Sequence, residues 1–183
     1  GSGKQYYDGG DGNDTFITEA DKFDYDYNGF IAQVNLTTGF SGKRDDPNHR
    51  LNDRVVSIEN VETTGEWLWE LIGDQGANRL TTDRGDDSLW GLSGDDTLDA
   101  GAGDDILVGG LGNDMIFAGQ GTDIYYGGEG ADQIDFSYLG NIGETGVIVD
   151  TSSGIAKGGN TFSGFEGYIG TKWNDMMTGR DTS

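Results

Sequence analysis

A period of nine residues runs through the middle of this chain and constrains its fold more than any other feature. Residues 73–135 divide into consecutive nine-residue units, and a single further copy occupies residues 9–17. Within residues 73–135 the fourth position of every unit is glycine, the sixth is Asp or Asn, and the eighth is apolar or aromatic. An amphipathic α-helix needs apolar residues every three or four positions, so a column spaced by nine predicts a different repeating structure.

Each unit is predicted to combine a six-residue glycine-rich turn with a three-residue strand whose middle side chain points inward. Two units make one coil, and coils must stack because a single coil cannot bury its own apolar face. The eighth-position residues then form two facing columns and the chain is all-β. The predicted columns are Leu71, Leu89, Leu107 and Tyr125 on one side, and Leu80, Leu98, Ile116 and Ile134 on the other.

The sixth-position side chains predict a bound cation. Stacking places their carboxylates above one another at about 4.8 Å, where two like charges repel by roughly 3.5 kcal/mol at an effective dielectric of about 20. Because a domain is stable by only about 5–15 kcal/mol, unscreened ladders of this kind would prevent folding. Carboxylate and carbonyl oxygens are hard ligands, and the flexible coordination of Ca²⁺ suits loops better than the octahedron of Mg²⁺.

A role in tight turns or in nucleotide binding explains these glycines and aspartates less well than a cation site does. Turn chemistry alone does not explain a fixed nine-residue register, and a nucleotide-binding glycine loop would need a helix after it. A formal net charge of -22 opposes binding to nucleic acid and to anionic membranes. The absence of cysteine excludes a disulfide scaffold and a thiolate metal site.

The units resemble the calcium-binding nonapeptide repeat of RTX (repeats-in-toxin) proteins, G-G-x-G-x-D-x-U-x. The resemblance implies a right-handed parallel β-roll with flanking β capping segments, in which each Ca²⁺ lies between two stacked turns. It implies roughly four to six ions, bound by the sixth-position side chains of both turns and by carbonyls of their first four positions. The implied side-chain ligands are Asn78, Asp87, Asp96, Asp105, Asp114, Asp123 and Asp132. The implied carbonyl ligands are Gly91, Ser93, Ala100, Gly101, Ala102, Gly103, Gly109, Gly110, Leu111, Gly112, Gly119, Gly121, Gly128 and Gly130.

The segments on either side of the repeats resemble each other. We predict one structural block with an N-terminal flank at 1–72, the roll at 73–135 and a C-terminal flank at 136–183. Ile58-Glu59 matches Phe165-Glu166, and Leu71 matches Met177. The second flank returns to the repeat register at Asp175, so the chain is interpreted as part of a tandem array. The repeat at 9–17 adds Asp14, and the register adds Asp175, as further candidate ligands. Trp67 and Trp69 are predicted to close the end of the core.

Two local segments leave alternatives open. Asp24, Asp26 and Asn28 match the first half of an EF-hand loop, but Asn35 stands where the bidentate Glu belongs, so a hairpin turn competes with a calcium site there. Residues 41–53 are interpreted either as a solvated insertion or as a basic patch that meets an acidic partner or a neighbouring block.

The resemblance implies a calcium-binding module, not an enzyme, that is disordered without Ca²⁺ and folds outside the bacterial cell. Its implied partners are adjacent RTX blocks of the same polypeptide and, while unfolded, a type I secretion channel; the chain is expected to be a secreted monomer within a larger toxin, enzyme or adhesin. The lone His49 has no evident nucleophile beside it. The alternative is a glycan-binding adhesin module, or an accessory domain of a polysaccharide-modifying enzyme, that recognises a glycan or receptor. The aromatic residues available for sugar stacking are Trp67, Trp69, Trp90, Tyr125, Tyr126 and Trp173.

Overall fold

The computed structural model describes residues 6–19, 32–37, 40–43, 53–56, 59–64, 68–141, 148–150, 155–156, 160–172 and 175–178. These residues form short strands and one 3-10 turn at Ser137–Asn141. The strands are β1 (Tyr6–Asp8), β2 (Thr15–Glu19), β3 (Ala32–Asn35), β4 (Phe40–Lys43), β5 (Asp53–Val56), β6 (Asn60–Thr64), β7 (Trp69–Ile72), β8 (Arg79–Thr81), β9 (Ser88–Ser93), β10 (Thr97–Asp99), β11 (Ile106–Leu111), β12 (Met115–Phe117), β13 (Ile124–Glu129), β14 (Gln133–Asp135), β15 (Ile148–Asp150), β16 (Ile155–Ala156), β17 (Thr161–Ser163), β18 (Gly167–Ile169) and β19 (Met176–Thr178).

The strands form two sheets that sandwich one core. Sheet 1 has 12 strands in the order β1-β5-β4-β3-β7-β9-β11-β13-β17-β16-β15-β19. Sheet 2 has seven strands in the order β18-β14-β12-β10-β8-β6-β2. From β7 to β14 the chain alternates between the sheets, and every neighbouring pair within this part is parallel. The result is a parallel β-solenoid of about four turns, which confirms the predicted fold class.

The core consists of the two predicted columns, extended at both ends by the flanks. In sheet 1 the column continues from Leu71 to Val34 on one side and from Tyr125 to Phe162 on the other. In sheet 2 it continues from Leu80 through Val61 to Phe16, and from Ile134 to Tyr168. Burying one such leucine or isoleucine contributes roughly 1.5–3 kcal/mol. The side chains of Leu71, Leu80, Leu89, Leu98, Leu107, Ile116, Tyr125 and Ile134 are all 0% exposed.

Two details of the roll differ from the sequence-based prediction. Strands β8, β10, β12 and β14 have the expected three residues, but β9, β11 and β13 have six, because pairing in sheet 1 continues into the following turn. Trp69 does not close the core: it is buried in β7, which pairs with β3 on one edge and β9 on the other. Trp69 is therefore an internal layer, and the apolar stack continues beyond it.

The flanks repeat one pattern of strand pairing. In sheet 1 the order β1-β5-β4-β3-β7 has the same parallel and antiparallel steps as β13-β17-β16-β15-β19. Each flank thus inserts an antiparallel hairpin into sheet 1. The C-terminal flank adds β18 to sheet 2, and the N-terminal flank adds β6 and its partner β2. Val34 pairs with Leu71, and Val149 pairs with Met177 at the equivalent place.

Several predicted features lie outside the described residues. They include Asp24, Asp26 and Asn28, residues 44–52 with His49, and Trp67 and Trp173. Within the described ranges, no helix combines the length and the apolar character that crossing a bilayer requires.

Candidate metal centre

The sixth-position side chains, together with three side chains of the flanks, form two ladders along the solenoid. The first ladder comprises the residues directly before strands of sheet 1, and the second ladder comprises those directly before strands of sheet 2. The first ladder consists of Asp87, Asp105, Asp123 and Asn160. The second ladder consists of Asp14, Glu59, Asn78, Asp96, Asp114, Asp132 and Glu166.

One oxygen of each ladder carboxylate is used to hold adjacent turns together. The backbone N–H of Asp96 donates to Oδ1 of Asp114 at 2.8 Å, and that of Asp114 donates to Oδ1 of Asp132 at 2.8 Å. The first ladder has the same bond, from Asp87 N–H to Oδ1 of Asp105 at 2.8 Å. The repeat turns at residues 78, 87, 96, 105 and 114 are therefore each positioned by the carboxylate 18 residues further along the chain.

The second carboxylate oxygen, Oδ2, is buried and has no hydrogen-bond partner at most steps. Ladder aspartates from 87 to 132 are at most 2% exposed. A buried polar atom without a partner carries a desolvation cost of about 1–3 kcal/mol, and more when it is charged. Native proteins rarely tolerate such atoms unless an ion or water satisfies them. The unpaired atoms are Oδ2 of Asp14, Asp87, Asp96, Asp105, Asp114 and Asp132.

In the second ladder these oxygens face backbone carbonyls across a space that glycine keeps open. A Cβ on Gly91 would overlap Oδ2 of Asp96 and lie 2.6 Å from the carbonyl oxygen of Gly109. A Cβ on Gly109 would meet Oδ2 of Asp114 and the carbonyl oxygen of Gly127 in the same way. The first-position glycine is therefore required because a carboxylate oxygen and a carbonyl oxygen converge beside it.

The electrostatics of the ladders favour a proton or a cation. Burial raises the pKa of Asp87 and Asp96 from 3.8 to about 7, and that of Asp105 to about 8. Backbone hydrogen bonds to Oδ1 oppose the rise, and the charge of neighbouring carboxylates adds to it. Near neutral pH the stacked carboxylates are thus poorly stabilised as free anions by the protein alone.

The available ligands match those of Ca²⁺. No group of three or more His, Cys, Asp or Glu side chains converges in the part of the chain that the structure describes. Carbonyl oxygens must therefore complete any coordination shell, and Ca²⁺ accepts 6–8 oxygen ligands of this kind. The fourteen carbonyl residues predicted from the sequence lie on the stacked turns, at their first four positions. Some of these carbonyls already accept one hydrogen bond, as Leu111 does from Gly94 N–H at 2.8 Å, but a carbonyl oxygen has a second lone pair.

Three predicted side-chain ligands have a different environment. The amide of Asn78 accepts from Asp74 N–H at 2.8 Å and donates to the Glu59 carbonyl at 3.2 Å. Oδ2 of Asp123 accepts from the Tyr125 hydroxyl at 2.6 Å. Both oxygens of Asp175 accept from Thr171, at 2.7 and 2.6 Å. None of these three side chains has the unpaired buried oxygen that marks the other ladder positions.

Besides Asn160, two glutamates of the ladders were not predicted from the sequence. Glu59 accepts the N–H of Asp14 through Oε2 at 2.7 Å, and Glu166 accepts the N–H of Asp132 through Oε2 at 2.9 Å. The signal was present, because Ile58-Glu59 and Phe165-Glu166 match between the flanks. It was missed because neither glutamate falls at the nine-residue period.

An outer set of fifth-position side chains ties the turns together a second time. The N–H of Asp104 donates to Oδ1 of Asp86 at 2.9 Å, and that of Asn113 donates to Oδ1 of Asp95 at 2.8 Å. These side chains are exposed, so they keep their hydration and need no metal. Among the described residues, the unpaired buried carboxylate oxygens all belong to the inner ladders.

Fold and site together define a parallel β-solenoid whose turns carry stacked, buried carboxylates. The family model of the RTX calcium-binding nonapeptide repeat, in four copies, matches residues 1–21, 72–107 and 100–134. These stretches are therefore RTX calcium-binding nonapeptide repeats, as the sequence predicted. The comparison with curated proteins gives no match.

Proposed function

We propose that the chain is a calcium-dependent folding module, in which Ca²⁺ ions between stacked turns convert a disordered chain into the solenoid. The observation that carries this proposal is the set of buried, unpaired Oδ2 atoms along both ladders. The charged ligands between the repeat turns are Asp87, Asp96, Asp105, Asp114, Asp123 and Asp132, and roughly four to six ions bind between these turns.

Calcium and folding are linked because the sites exist only in the folded chain. The ligands of one site come from turns 18 residues apart, so an unfolded chain cannot assemble them. A ligand that binds only the folded state stabilises it by about 2.7 kcal/mol per site at a concentration of ~100 Kd. Several stacked sites that share carboxylates make the transition cooperative in calcium.

The wider role follows from this coupling. RTX repeats are typical of secreted bacterial proteins. At the low calcium concentration of a bacterial cytosol, an acidic chain with a net charge of -22 stays unfolded and passes through a type I secretion channel. Outside the cell, calcium folds the module, which supports adjacent RTX blocks of a larger toxin, enzyme or adhesin.

Far-UV circular dichroism during a calcium titration tests the proposal. A chain in chelator is expected to give a coil spectrum, with a steep transition to β-structure at about 10⁻⁴–10⁻³ M calcium. Magnesium at the same concentration is expected to leave the spectrum unchanged, because its octahedral shell does not suit the turns. A chain that is already β-folded in chelator and unaffected by calcium would overturn the proposal.

Glycan binding is a second candidate, favoured by the outer face of sheet 1. Trp90, Val108 and Tyr126 pair in successive strands, and Trp90 and Tyr126 are 37% and 47% exposed. Aromatic rings on a regular sheet stack on sugar rings. Glycan binding by the calcium-loaded chain, lost on Trp90→Ala and Tyr126→Ala, would support this candidate. Equal binding by both variants would exclude it.

A further inference from the structure

Each flank crosses from sheet 1 to sheet 2 through a shortened turn. Nine residues separate Tyr125 from Ile134 in the roll, but only six separate Phe162 from Tyr168, which pair with them in the next layer. The N-terminal flank repeats this difference, with nine residues from Tyr7 to Phe16 and six from Val55 to Val61. A six-residue crossing cannot form the full repeat turn, so another group must take the place of the sixth-position aspartate.

A glutamate takes that place in both flanks. The N–H of Asp132 donates to Oε2 of Glu166, and the N–H of Asp14 donates to Oε2 of Glu59, just as repeat turns donate to an aspartate Oδ1. The backbone hydrogen bond that follows the turn is also the same in the two flanks. Gly167 N–H donates to the Asp132 carbonyl, and Asn60 N–H donates to the Asp14 carbonyl. The extra methylene of glutamate compensates for the shorter backbone path.

The C-terminal junction brings together oxygens of three residues. Asp132 is 0% exposed, and its Oδ2 has no hydrogen-bond partner. A Cβ on Gly127 would lie 2.7 Å from this Oδ2 and would overlap the carbonyl oxygen of Gly164. The Gly164 carbonyl therefore stands where a repeat turn places its first-position carbonyl, and Glu166 adds the second carboxylate.

At the end of the first ladder, protein groups satisfy both oxygens of the last aspartate, Asp123. There the group above Asp123 is the neutral amide of Asn160, which accepts the Asp123 N–H at 2.8 Å. The Tyr125 hydroxyl satisfies the Oδ2 of Asp123. Glu166 and the unpaired Oδ2 of Asp132 are thus not a general requirement for ending a ladder.

We propose that both junctions are additional calcium sites outside the nine-residue repeat, with Asp132 and Glu166 as the charged ligands of one and Asp14 and Glu59 as those of the other. The inference rests on the proposed calcium-dependent function. It assigns a ligand role to two glutamates of the flanks and makes each flank part of the calcium-bound structure.

Counting bound ions tests this proposal. The full chain and its Glu166→Gln variant are compared by native mass spectrometry at saturating calcium and by circular dichroism titration. Gln keeps an oxygen that accepts the Asp132 N–H but removes the charge, so the variant is expected to fold, to bind one ion fewer, and to need about threefold more calcium at the midpoint. Glu62→Gln, an exposed glutamate of β6, is the charge-matched control and is expected to match the parent chain.

The outcomes separate the two proposals. A parent chain that neither binds calcium nor folds with it overturns the proposed function itself. A parent chain that responds to calcium, with an unchanged ion count in Glu166→Gln, overturns only the junction site and leaves Glu166 as a hydrogen-bond cap. If Glu166→Gln fails to fold, Glu59→Gln decides by the same ion count.

Discussion

The two carboxylate ladders end differently at the C-terminal side of the roll. The last aspartate of the first ladder, Asp123, has both oxygens satisfied: Oδ1 accepts from Asp105 N–H at 3.0 Å and Oδ2 from the Tyr125 hydroxyl at 2.6 Å. The last aspartate of the second ladder, Asp132, keeps an unpaired Oδ2 and faces the acidic Glu166. The fold thus contains one ladder end whose aspartate is satisfied by protein groups and one whose aspartate keeps a buried, unpaired oxygen.

This difference separates two roles that the aspartates combine. Oδ1 accepts the backbone N–H of the adjacent turn along the repeats, and the neutral amide of Asn160 performs this role equally well. Oδ2 is where the charge must be compensated. Substitutions that change how the charge of Oδ2 is compensated are therefore expected to alter calcium binding. Substitutions that affect only the hydrogen bonds of Oδ1 or of the outer side chains are expected to alter hydrogen bonding alone.

The largest effect is expected from Asp114→Ala in the middle of the second ladder. Asp114 stacks between Asp96 and Asp132, so its loss removes a ligand from two calcium sites, worth about 5 kcal/mol together when calcium is at ~100 Kd. The calcium midpoint measured by circular dichroism should rise at least about tenfold. Asp123→Ala, at the satisfied end of the first ladder, should produce a clearly smaller shift. Equal shifts would contradict the distinction between the two ends.

Lower pH should partly replace calcium. The pKa of Asp87 and of Asp96 is raised from 3.8 to about 7, and that of Asp105 to about 8, by burial. Between these values the folded chain binds more protons than the unfolded chain, so its free energy of unfolding falls as pH rises. The calcium-free chain should therefore gain β-structure on going from about pH 8 to about pH 5.

The calcium titration gives this prediction a second measurement. Because bound protons stabilise the same fold, less calcium should be needed to fold the chain, so the calcium midpoint measured by circular dichroism should be lower at about pH 6 than at about pH 8. Raising the salt concentration at the higher pH is the control, since salt screens surface charge but does not protonate buried carboxylates. A calcium-free chain whose β-content is the same across this pH range would contradict the account.

An intermediate effect is expected from Tyr125→Phe. The change leaves Oδ2 of Asp123 without its donor and Gly119 N–H without its 3.0 Å acceptor, which costs about 1–3 kcal/mol of unfolding free energy at saturating calcium. Denaturant titration measures this loss, and Tyr126→Phe at the neighbouring, half-exposed position is the control.

Combining Tyr125→Phe with Asn160→Asp should give the first ladder a charged, unsatisfied end and add one bound calcium ion.

The smallest effect is expected from Asp95→Ala in the outer set of side chains. Asp95 is exposed and accepts only from the N–H and side-chain amide of Asn113. Its loss should lower the unfolding free energy by about 1 kcal/mol or less and leave the number of bound ions unchanged. Loss of an ion in this variant would place a metal at the surface rather than at the inner ladders.

The regular part of the fold could be predicted from the sequence because one period governs it. The spacing of Leu80, Leu98 and Ile116 fixes both the strand and the inward direction, and the structure confirms both columns. The same spacing identified the aspartates whose Oδ2 atoms prove to be buried and unpaired. The six-residue strands of sheet 1 were not predicted, because they arise from pairing between turns rather than from any residue preference.

The ends of the ladders could not be predicted in the same way. Asn160 lies 37 residues beyond Asp123 because a hairpin is inserted between them, and this distance has no relation to the period. Glu166 stacks on Asp132 only because the turn before β18 is shorter than a repeat turn. The hydrogen bond from Tyr125 to Asp123 could not be predicted either, because the eighth position of a repeat predicts only an apolar side chain.

A crystal structure of the calcium-loaded chain, with ions located by anomalous scattering, tests the central claim most directly. We expect peaks beside the unpaired Oδ2 atoms of both ladders, including one between Asp132 and Glu166, and no peak between Asp123 and Asn160. A folded chain without peaks at these oxygens would contradict the claim that they need calcium. A peak between Asp123 and Asn160 would contradict the claim that the first ladder is complete without it.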